Sequence, residues 1–214
     1  MAVAEDTRAR ILEAAGSIFA EKGYDSATIR DICQRAQANV AAVNYHFGDK
    51  QRLYDEAVRQ AYLSRARLAL MPEWSAEVPP ETKLIDFVRT LLNRMLLDNG
   101  SSWQAQLMLR EISQPKSASQ HLVADYIRPH FEMLEQILRE LLPKETCDEK
   151  RRLIAFSIIG QCLHYRVAGP VVRMLVSAEE FAAYTPEKLA EHIAGITLAA
   201  IGRGPVVCPQ RSAG

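Results

Sequence analysis

Apolar residues recur every three or four positions along most of the chain, and no run alternates strictly between apolar and polar residues for long. The first such face is formed by Ile11, Leu12, Ala15, Ile18 and Phe19. This spacing is that of one face of an α-helix, whereas a half-buried strand would alternate with a period of two. The sequence therefore predicts an all-α fold.

Helix start and stop signals divide the N-terminal part of this pattern. Gly23 is placed to end the first helix, because glycine readily adopts the left-handed conformation found there. Thr28 is a cap for the second helix, with Asp31 at the capping-box spacing. Asn39 is a cap for a short third helix that Gly48 ends. We therefore expect three helices before residue 48.

A segment rich in proline, glutamate and serine, Pro72 to Pro80, separates two predicted domains. The first spans residues 1–62, and its fourth helix continues to about residue 71. The second is helical and spans residues 73–204, and residues 205–214 form a disordered tail. Later helices are predicted near residues 81–98, 103–112, 119–142, 148–166, 170–183 and 186–202.

Composition and charge restrict the class of protein. At 214 residues, the chain is long enough for one domain or two small ones. Its 48% hydrophobic and 24% charged residues are typical of a folded globular protein and not of a disordered one. Because 26 Lys and Arg balance 26 Asp and Glu, a strongly basic nucleic-acid coat is excluded, and any nucleic-acid site must be local.

The chain shows no leader-like start and no metal-binding spacing. Charged residues, among them Glu5, Asp6 and Arg8, occupy the region where a signal peptide would be apolar, so we expect a cytoplasmic protein. The four cysteines are reduced thiols by this interpretation, because they lie far apart at Cys33, Cys147, Cys162 and Cys208. We expect neither a metal nor a cofactor.

Residues 28–50 have the arrangement of a helix-turn-helix, in which a short second helix can enter the major groove of DNA. At 100° per residue, Val40, Val43 and Phe47 form one side of this helix. The predicted outer residues are Ala41, Ala42 and Tyr45, flanked by Asn44 and His46.

The outer face suits DNA chemically. Two adjacent alanines allow a close approach to base edges and thymine methyl groups, and Tyr45 can bind phosphate. Cations and helix N-termini that can bind further phosphates are supplied by Thr28, Arg30, Lys50 and Arg52. A compact bundle without DNA binding stays open, because short helix pairs are common. Residues 1–62 carry eight basic and nine acidic side chains, which is not the usual basic footprint.

The first quarter of the chain resembles the DNA-binding domain of the tetracycline-repressor-like (TetR) family of bacterial regulators, in the stretch TRARILEAAGSIFAEKGYDSATIRDICQRAQANVAAVNYHFGDKQRLYDEAV. The resemblance implies DNA contacts by Thr28, Arg30, Ala41, Ala42, Asn44, Tyr45, His46 and Lys50, and Asn39 is predicted to join them. Two positions depart from the family pattern: Gln37 replaces a turn glycine, and Asn44 replaces a tyrosine. Gln37 must therefore either adopt the left-handed conformation, at a cost of about 1 kcal/mol, or alter the turn. The VNYHFGDK form resembles the branch with a CecR-like (YbiH-like) C-terminal domain.

The same resemblance implies that the second domain binds a small-molecule effector and dimerises, and that the effector weakens operator binding. One helix-turn-helix per chain further predicts a homodimer on a palindromic double-stranded DNA operator. Aromatic, thioether and hydrogen-bonding side chains suited to an effector pocket are Trp103, Met108, Tyr126, His130, Gln161, His164 and Tyr165. Ordinary core packing is the alternative for each of them.

The predicted last helix has more apolar surface than one neighbour can cover. We therefore predict that it pairs with the apolar run of residues 153–163 and that two copies form a four-helix interface. The predicted interface residues are Ile159, Leu163, Ile193, Ile196 and Ala200, with Ile193 or Ile196 near the centre. Burial of this helix within its own chain is the alternative.

Catalytic motifs, such as a nucleophile elbow, a P-loop or a zinc-binding H-E-x-x-H, do not occur in the sequence, so we expect no enzyme. The predicted function is a DNA-binding transcriptional regulator, interpreted as an effector-released repressor. The alternative is a helical protein-interaction adaptor without DNA binding, in which the face of Ala41, Ala42 and Tyr45 meets protein.

Overall fold

The computed structural model describes residues 2–96, 102–116, 120 and 122–205. All regular elements in these ranges are helices, which confirms the all-α prediction. They are α1 (Ala2–Ser26), α2 (Ile29–Ala36), α3 (Val40–Phe47), α4 (Lys50–Leu68), α5 (Pro80–Leu96), α6 (Trp103–Ser113), a π-helical turn (Val123–Ile127), α7 (Arg128–Leu141), α8 (Asp148–Val167), α9 (Gly169–Leu175), α10 (Ala178–Ala182) and α11 (Pro186–Ala200).

The helices form two compact units. Unit 1 comprises residues 1–68 and 98–128, and unit 2 comprises residues 69–97 and 129–214. The predicted boundary at residues 62–73 does not coincide with these units, because α6 packs along α1 and α4. The linker predicts that every residue after it belongs to the second domain. The structure instead places α6, which follows the linker, with the N-terminal helices. The predicted tail, apart from residue 205, lies outside the described residues.

Unit 1 is built around the apolar face of α1. Ile11 and Phe19 are fully buried there, and the rings of Phe19 and Tyr54 meet edge to face with centroids 4.8 Å apart. Gly23, with φ of 78°, breaks the helical conformation near the end of α1 at the predicted position. Leu107 brings α6 into the same core. α2 and α3 pack on the same core through buried side chains such as Ile32 and Val43.

Unit 2 has a separate core to which α5, α7, α8 and α11 contribute. Leu84, Leu134 and Ile158 are almost completely shielded from solvent. The chain after α11 turns back onto α7, since Nε of Arg203 donates to the carbonyl oxygen of Leu141 at 3.0 Å. No helix in the described ranges is long and apolar enough to cross a membrane.

Candidate nucleic-acid interface

Side-chain caps fix the starts of both helices of the predicted helix-turn-helix. Oγ1 of Thr28 accepts a hydrogen bond from the backbone N–H of Asp31 at 3.1 Å. Oδ1 of Asn39 accepts one from the N–H of Ala42 at 2.8 Å. Each cap binds one of the N–H groups that a helix start leaves without a partner inside the helix. Both predicted caps are therefore present.

The turn between α2 and α3 passes through a left-handed residue, Gln37, with φ of 49° and ψ of 47°. Gln37 is the one non-glycine residue with positive φ in the described part of the chain. The next N–H, that of Ala38, donates to the carbonyl oxygen of Cys33 at 3.0 Å. Of the two possibilities that the sequence left, an altered turn or a strained residue, the structure has the strained residue.

The outer face of α3 differs from the predicted one in two residues, because Val40 is exposed and Ala42 is not. Tyr45 is 83% exposed, and Ala41 and Asn44 are exposed beside it. Val40, predicted to face inward, is 51% exposed, whereas Ala42, predicted to face outward, is half-buried against the core. The buried side of α3 is therefore rotated toward Ala42.

The rotation has a packing cause. Val43 and Phe47 are the buried anchors of α3, and half-buried His46 lies on the same side as Ala42. The centre of the covered side follows from where the neighbouring helices lie, and periodicity alone cannot locate it. The exposed face is consequently Val40, Ala41, Asn44 and Tyr45, and Val40 is the residue that sequence reasoning missed.

Lys50 lies on an aromatic support at the start of α4. Its Nζ is 4.5 Å from the ring centroid of Tyr24, within cation–π distance. Burial, followed by the charges of Asp49 and Asp55, raises the pKa of Tyr24. The contact orients the Lys50 ammonium while leaving its three N–H donors available for a phosphate.

Ion pairs engage several other cations of this region. Arg35 pairs with Glu21 through two hydrogen bonds of 2.7 and 3.0 Å, and Lys22 pairs with Asp31 at 2.9 Å. That hydrogen bond from Lys22, followed by the Thr28 hydroxyl, lowers the pKa of Asp31.

Three cations remain better placed for DNA. Among the described residues, exposed Arg30 has no ion pair, and Lys50 lies over the Tyr24 ring with Asp25 as an electrostatic neighbour. Arg52 lies 3.9 Å from Asp49, and its side chain is 77% exposed. The chain's near-neutral N-terminal region therefore still presents local positive charge beside α3.

The predicted effector residues Trp103, Met108 and Tyr126 all lie in unit 1. Trp103 is 8% exposed, and its Nε1 donates to Oε1 of Glu13 at 2.6 Å. Met108 packs against the same core, and the Tyr126 ring lies 4.5 Å from that of Tyr62. All three side chains therefore pack in the core of unit 1 or against it, as the alternative of ordinary core packing predicts.

The other four predicted effector residues lie in unit 2. Nε2 of His130 is 3.3 Å from Nη1 of Arg94. Gln161 donates to the carbonyl oxygen of its own helix neighbour Ser157 at 3.3 Å. His164 is exposed, and half-buried Tyr165 contributes to the core. The seven residues are thus divided between the two units.

The predicted dimer residues differ in exposure. Ile193 is 1% exposed within the core of unit 2, which removes it from the surface that a partner can reach. Ile196 is 37% exposed, Ala200 is exposed, and Ile159 and Leu163 are half-buried. α11 packs closely on α5, and Ile193 lies in the core that these two helices share with α7 and α8. The apolar side chains of α8 that are more than half exposed are Leu153, Phe156 and Val167.

Comparison with known proteins identifies the class. Residues 11–57 match the family model of bacterial regulatory proteins of the TetR family, and residues 80–201 match that of the C-terminal domain of the HTH-type transcriptional dual regulator CecR. The chain is a DNA-binding transcriptional regulator with a helix-turn-helix. It belongs to the TetR family, in the branch that carries a CecR-type C-terminal domain. Members of this family are regulators, which confirms that the chain is not an enzyme.

Two curated relatives share part of the sequence. The HTH-type transcriptional repressor AcnR of Corynebacterium glutamicum is 34% identical over 87 residues, which are 41% of this chain and 41% of AcnR. The HTH-type transcriptional repressor Rv3405c of Mycobacterium tuberculosis is 30% identical over 128 residues, 60% of this chain and 62% of the relative. The chain thus spans less than two thirds of either relative.

Among solved structures, the fold is similar to that of AibR in complex with isovaleryl coenzyme A and operator DNA. The TM-score is 0.62 at 16% identity, over 89% of this chain and 97% of AibR. A TetR-like transcriptional regulator from Rhodococcus sp. RHA1 has a TM-score of 0.60 at 16% identity, over 92% of this chain and 96% of the other.

Proposed function

We propose that the chain is a repressor that binds a palindromic operator as a homodimer and is released by a small-molecule effector. The observation that carries the proposal is the exposed face of Val40, Ala41, Asn44 and Tyr45 on a short, doubly capped helix. Small side chains let the helix axis approach base edges. The side-chain amide of Asn44 can form two hydrogen bonds to one adenine, donating to one atom of the base and accepting from another.

Phosphate contacts surround this face. Arg30 in α2 and Lys50 at the start of α4 provide cations before and after α3 in the chain, and Thr28 provides a hydroxyl at the start of α2. Such contacts fix the register of the protein on DNA, whereas base contacts select the sequence. Because the region has few unpaired cations, affinity depends on a small number of phosphate contacts and falls with salt accordingly.

The exposed apolar surface of unit 2 supports a homodimer. Leu153, Phe156 and Val167 recur along α8 at spacings of three and eleven residues, which places them on one face. Ile196 and Ala200 form an exposed strip on α11. An apolar surface of this kind is typical of a protein–protein interface. Two copies joined there would present two recognition helices, and a palindromic operator has two half-sites to receive them.

Effector release requires that a ligand bind one arrangement of the helices better than another. Side chains of unit 2 that are half-buried at the edge of its core, and that could therefore line an effector site, are Met95, Phe131, Met133, Ile159 and Tyr165. In unit 1, α6 is joined to α4 by the hydrogen bond from the Tyr54 hydroxyl to Glu111, and to α1 by Trp103 and Glu13. A shift of α6 would therefore displace the helices that hold α3.

Sequencing of the genomic DNA fragments retained by the purified protein tests the proposal, with a thermal-shift ligand screen beside it. A recurring inverted repeat among the fragments, released by a ligand from the screen, is the expected result. Retention of no specific fragment contradicts DNA recognition. A nuclease-treated pull-down that captures protein through the α3 face, beside a DNA-affinity column that retains nothing, would favour the adaptor.

A further inference from the structure

Unit 1 contains a groove whose walls are α1, the end of α2 and α4. It is open to solvent, has a volume of about 860 Å³, and five of its lining residues are arginines: Arg8, Arg10, Arg35, Arg59 and Arg67. We call it the arginine groove. Its volume is in the range of small-molecule sites, which measure roughly 300–1,000 Å³.

The lining has a definite charge pattern. Five arginines and two carboxylates, Glu13 and Glu56, line the groove, and two of the arginines pair with carboxylates outside the lining, Arg35 with Glu21 and Arg10 with Asp6. Glu56 accepts hydrogen bonds from Arg8 at 2.8 Å and from Arg59 at 2.8 and 2.9 Å, while Glu13 accepts from the indole of Trp103 at 2.6 Å. These four carboxylates offset the charge of four guanidinium groups, so the positive charge that remains in the groove is that of one arginine, Arg67.

Two of the arginines are available at its rim. Arg67 is exposed and has no ion pair among the described residues. Arg10 contacts Asp6 at 3.5 Å, and both side chains are about half exposed or more, so this pair is easily exchanged for another anion. Guanidinium groups present a planar fork of donors that fits the oxygens of a phosphate.

The floor of the groove is apolar. Leu12, Ala14 and Ala36 are at least nine-tenths buried beneath it, and Leu63 is half-buried at its side. Gln60, Ser17 and Ser64 add neutral hydrogen-bonding groups. At 1.5 Å per residue, the nine steps from Arg8 to Ser17 give a length of about 14 Å. The groove thus combines a buried apolar floor with arginines from α1, α2 and α4.

The strained residue of the helix-turn-helix belongs to the same groove. Gln37 lines it, and its left-handed φ of 49° is unfavourable because its Cβ atom lies close to a backbone carbonyl oxygen.

We propose that the arginine groove binds a phosphorylated small molecule that carries a flat organic group, of which a nucleotide is the simplest type. The arginines at the rim bind the phosphates, and the floor of Leu12, Ala14 and Ala36 receives the organic group. The groove adjoins the DNA-contacting helix, because Arg8 lies 5.1 Å from the ring centroid of Phe47 at the end of α3. This ligand site is separate from the proposed effector site of unit 2.

Calorimetric titration of the full chain with metal-free ATP, pyrophosphate and adenosine, at low ionic strength, tests the proposal. We expect one ATP per chain, with an affinity that falls by about tenfold or more in the Arg10→Gln, Arg67→Gln double variant. Arg139→Gln, an exposed arginine of α7 outside the groove, is the matched control and should bind ATP unchanged. Pyrophosphate binding weaker than ATP supports a contribution from the apolar floor.

Several outcomes overturn the proposal. They are the absence of ATP binding, adenosine binding as tight as that of ATP, and equal affinity in the double variant and the parent. ATP binding that is lost in Arg30→Gln but kept in the double variant would place the anion on the DNA-contacting surface instead. Circular dichroism verifies that each variant is folded, and Arg67→Gln alone serves if the double variant is not.

Discussion

The indole ring of Trp103 lies directly on Gly16, in the middle of α1. A Cβ atom on Gly16 would stand 2.4 Å from Cζ3 of the indole, closer than real Cβ atoms approach another atom. The same indole donates to Glu13 one turn earlier. Gly16 therefore sets how closely α6 approaches α1, and it does so without any special backbone conformation.

Gly16→Ala should destabilise the protein by about 1–3 kcal/mol, because a rigid indole must move out of the core. This loss exceeds the gain of up to about 1 kcal/mol that alanine brings to a helix interior. Urea unfolding measures the difference. In a Trp103→Leu background the same change should be neutral or stabilising, and an equal loss in both backgrounds would contradict the steric explanation.

Tyr45→Ala and Lys50→Ala should each weaken operator binding while the far-ultraviolet circular dichroism stays unchanged. Tyr45 is too exposed to support the core, and Lys50 contacts only the edge of unit 1 through Tyr24. Lys50→Ala should also reduce the slope of affinity against salt by about one, since one phosphate contact is lost. Lys144→Ala, an exposed lysine of unit 2, is the control. Unchanged binding by both variants would mean that α3 is not the recognition helix.

Ile196→Arg should yield folded monomers that lose operator binding, because Ile196 is 37% exposed on the proposed dimer surface. Ile193→Arg should instead unfold unit 2, since an arginine replaces a side chain that is 1% exposed. Analytical ultracentrifugation with circular dichroism separates the two effects. A folded dimer of Ile196→Arg with full DNA affinity contradicts the proposed interface.

Gln37→Gly should stabilise the chain by up to about 1 kcal/mol, because glycine adopts the left-handed conformation without strain. Gln34→Gly, one turn earlier on the exposed side of α2, should destabilise by about 1 kcal/mol. Thermal unfolding of the two variants compares the same substitution with opposite expected signs. Destabilisation by both would show that the Gln37 side chain supports the fold.

Alkaline pH should destabilise unit 1 through Tyr54. Burial, and then the hydrogen bond to Glu111, raise the pKa of the Tyr54 phenol. A folded-state pKa above the unfolded value means that this stabilisation is complete below about pH 10 and is lost as the pH rises further. Melting temperatures should therefore fall more steeply above pH 10 in the parent than in Tyr54→Phe. Parallel curves would contradict this role of Tyr54.

The positions of most helices, both caps of the helix-turn-helix and the membership of the TetR family could be derived from the sequence by itself, although the predicted helix at residues 170–183 is two short helices. The caps at Thr28 and Asn39 depend on side chains within three residues of the groups they bind, so their signal is local. The exposure of Tyr45 likewise follows from its position opposite Val43 and Phe47.

Only the tertiary structure decided which helix surfaces are covered. The exchange of Val40 for Ala42 on the outer face of α3, the burial of Ile193 and the position of α6 beside α1 all depend on neighbours far along the chain. Periodicity shows that a helix has an apolar face. It does not show which neighbouring helix covers that face, because burial against any apolar neighbour gives a similar hydrophobic stabilisation. Close packing selects among them through specific shapes, such as the indole of Trp103 on Gly16, and those fits have no signature in residue spacing.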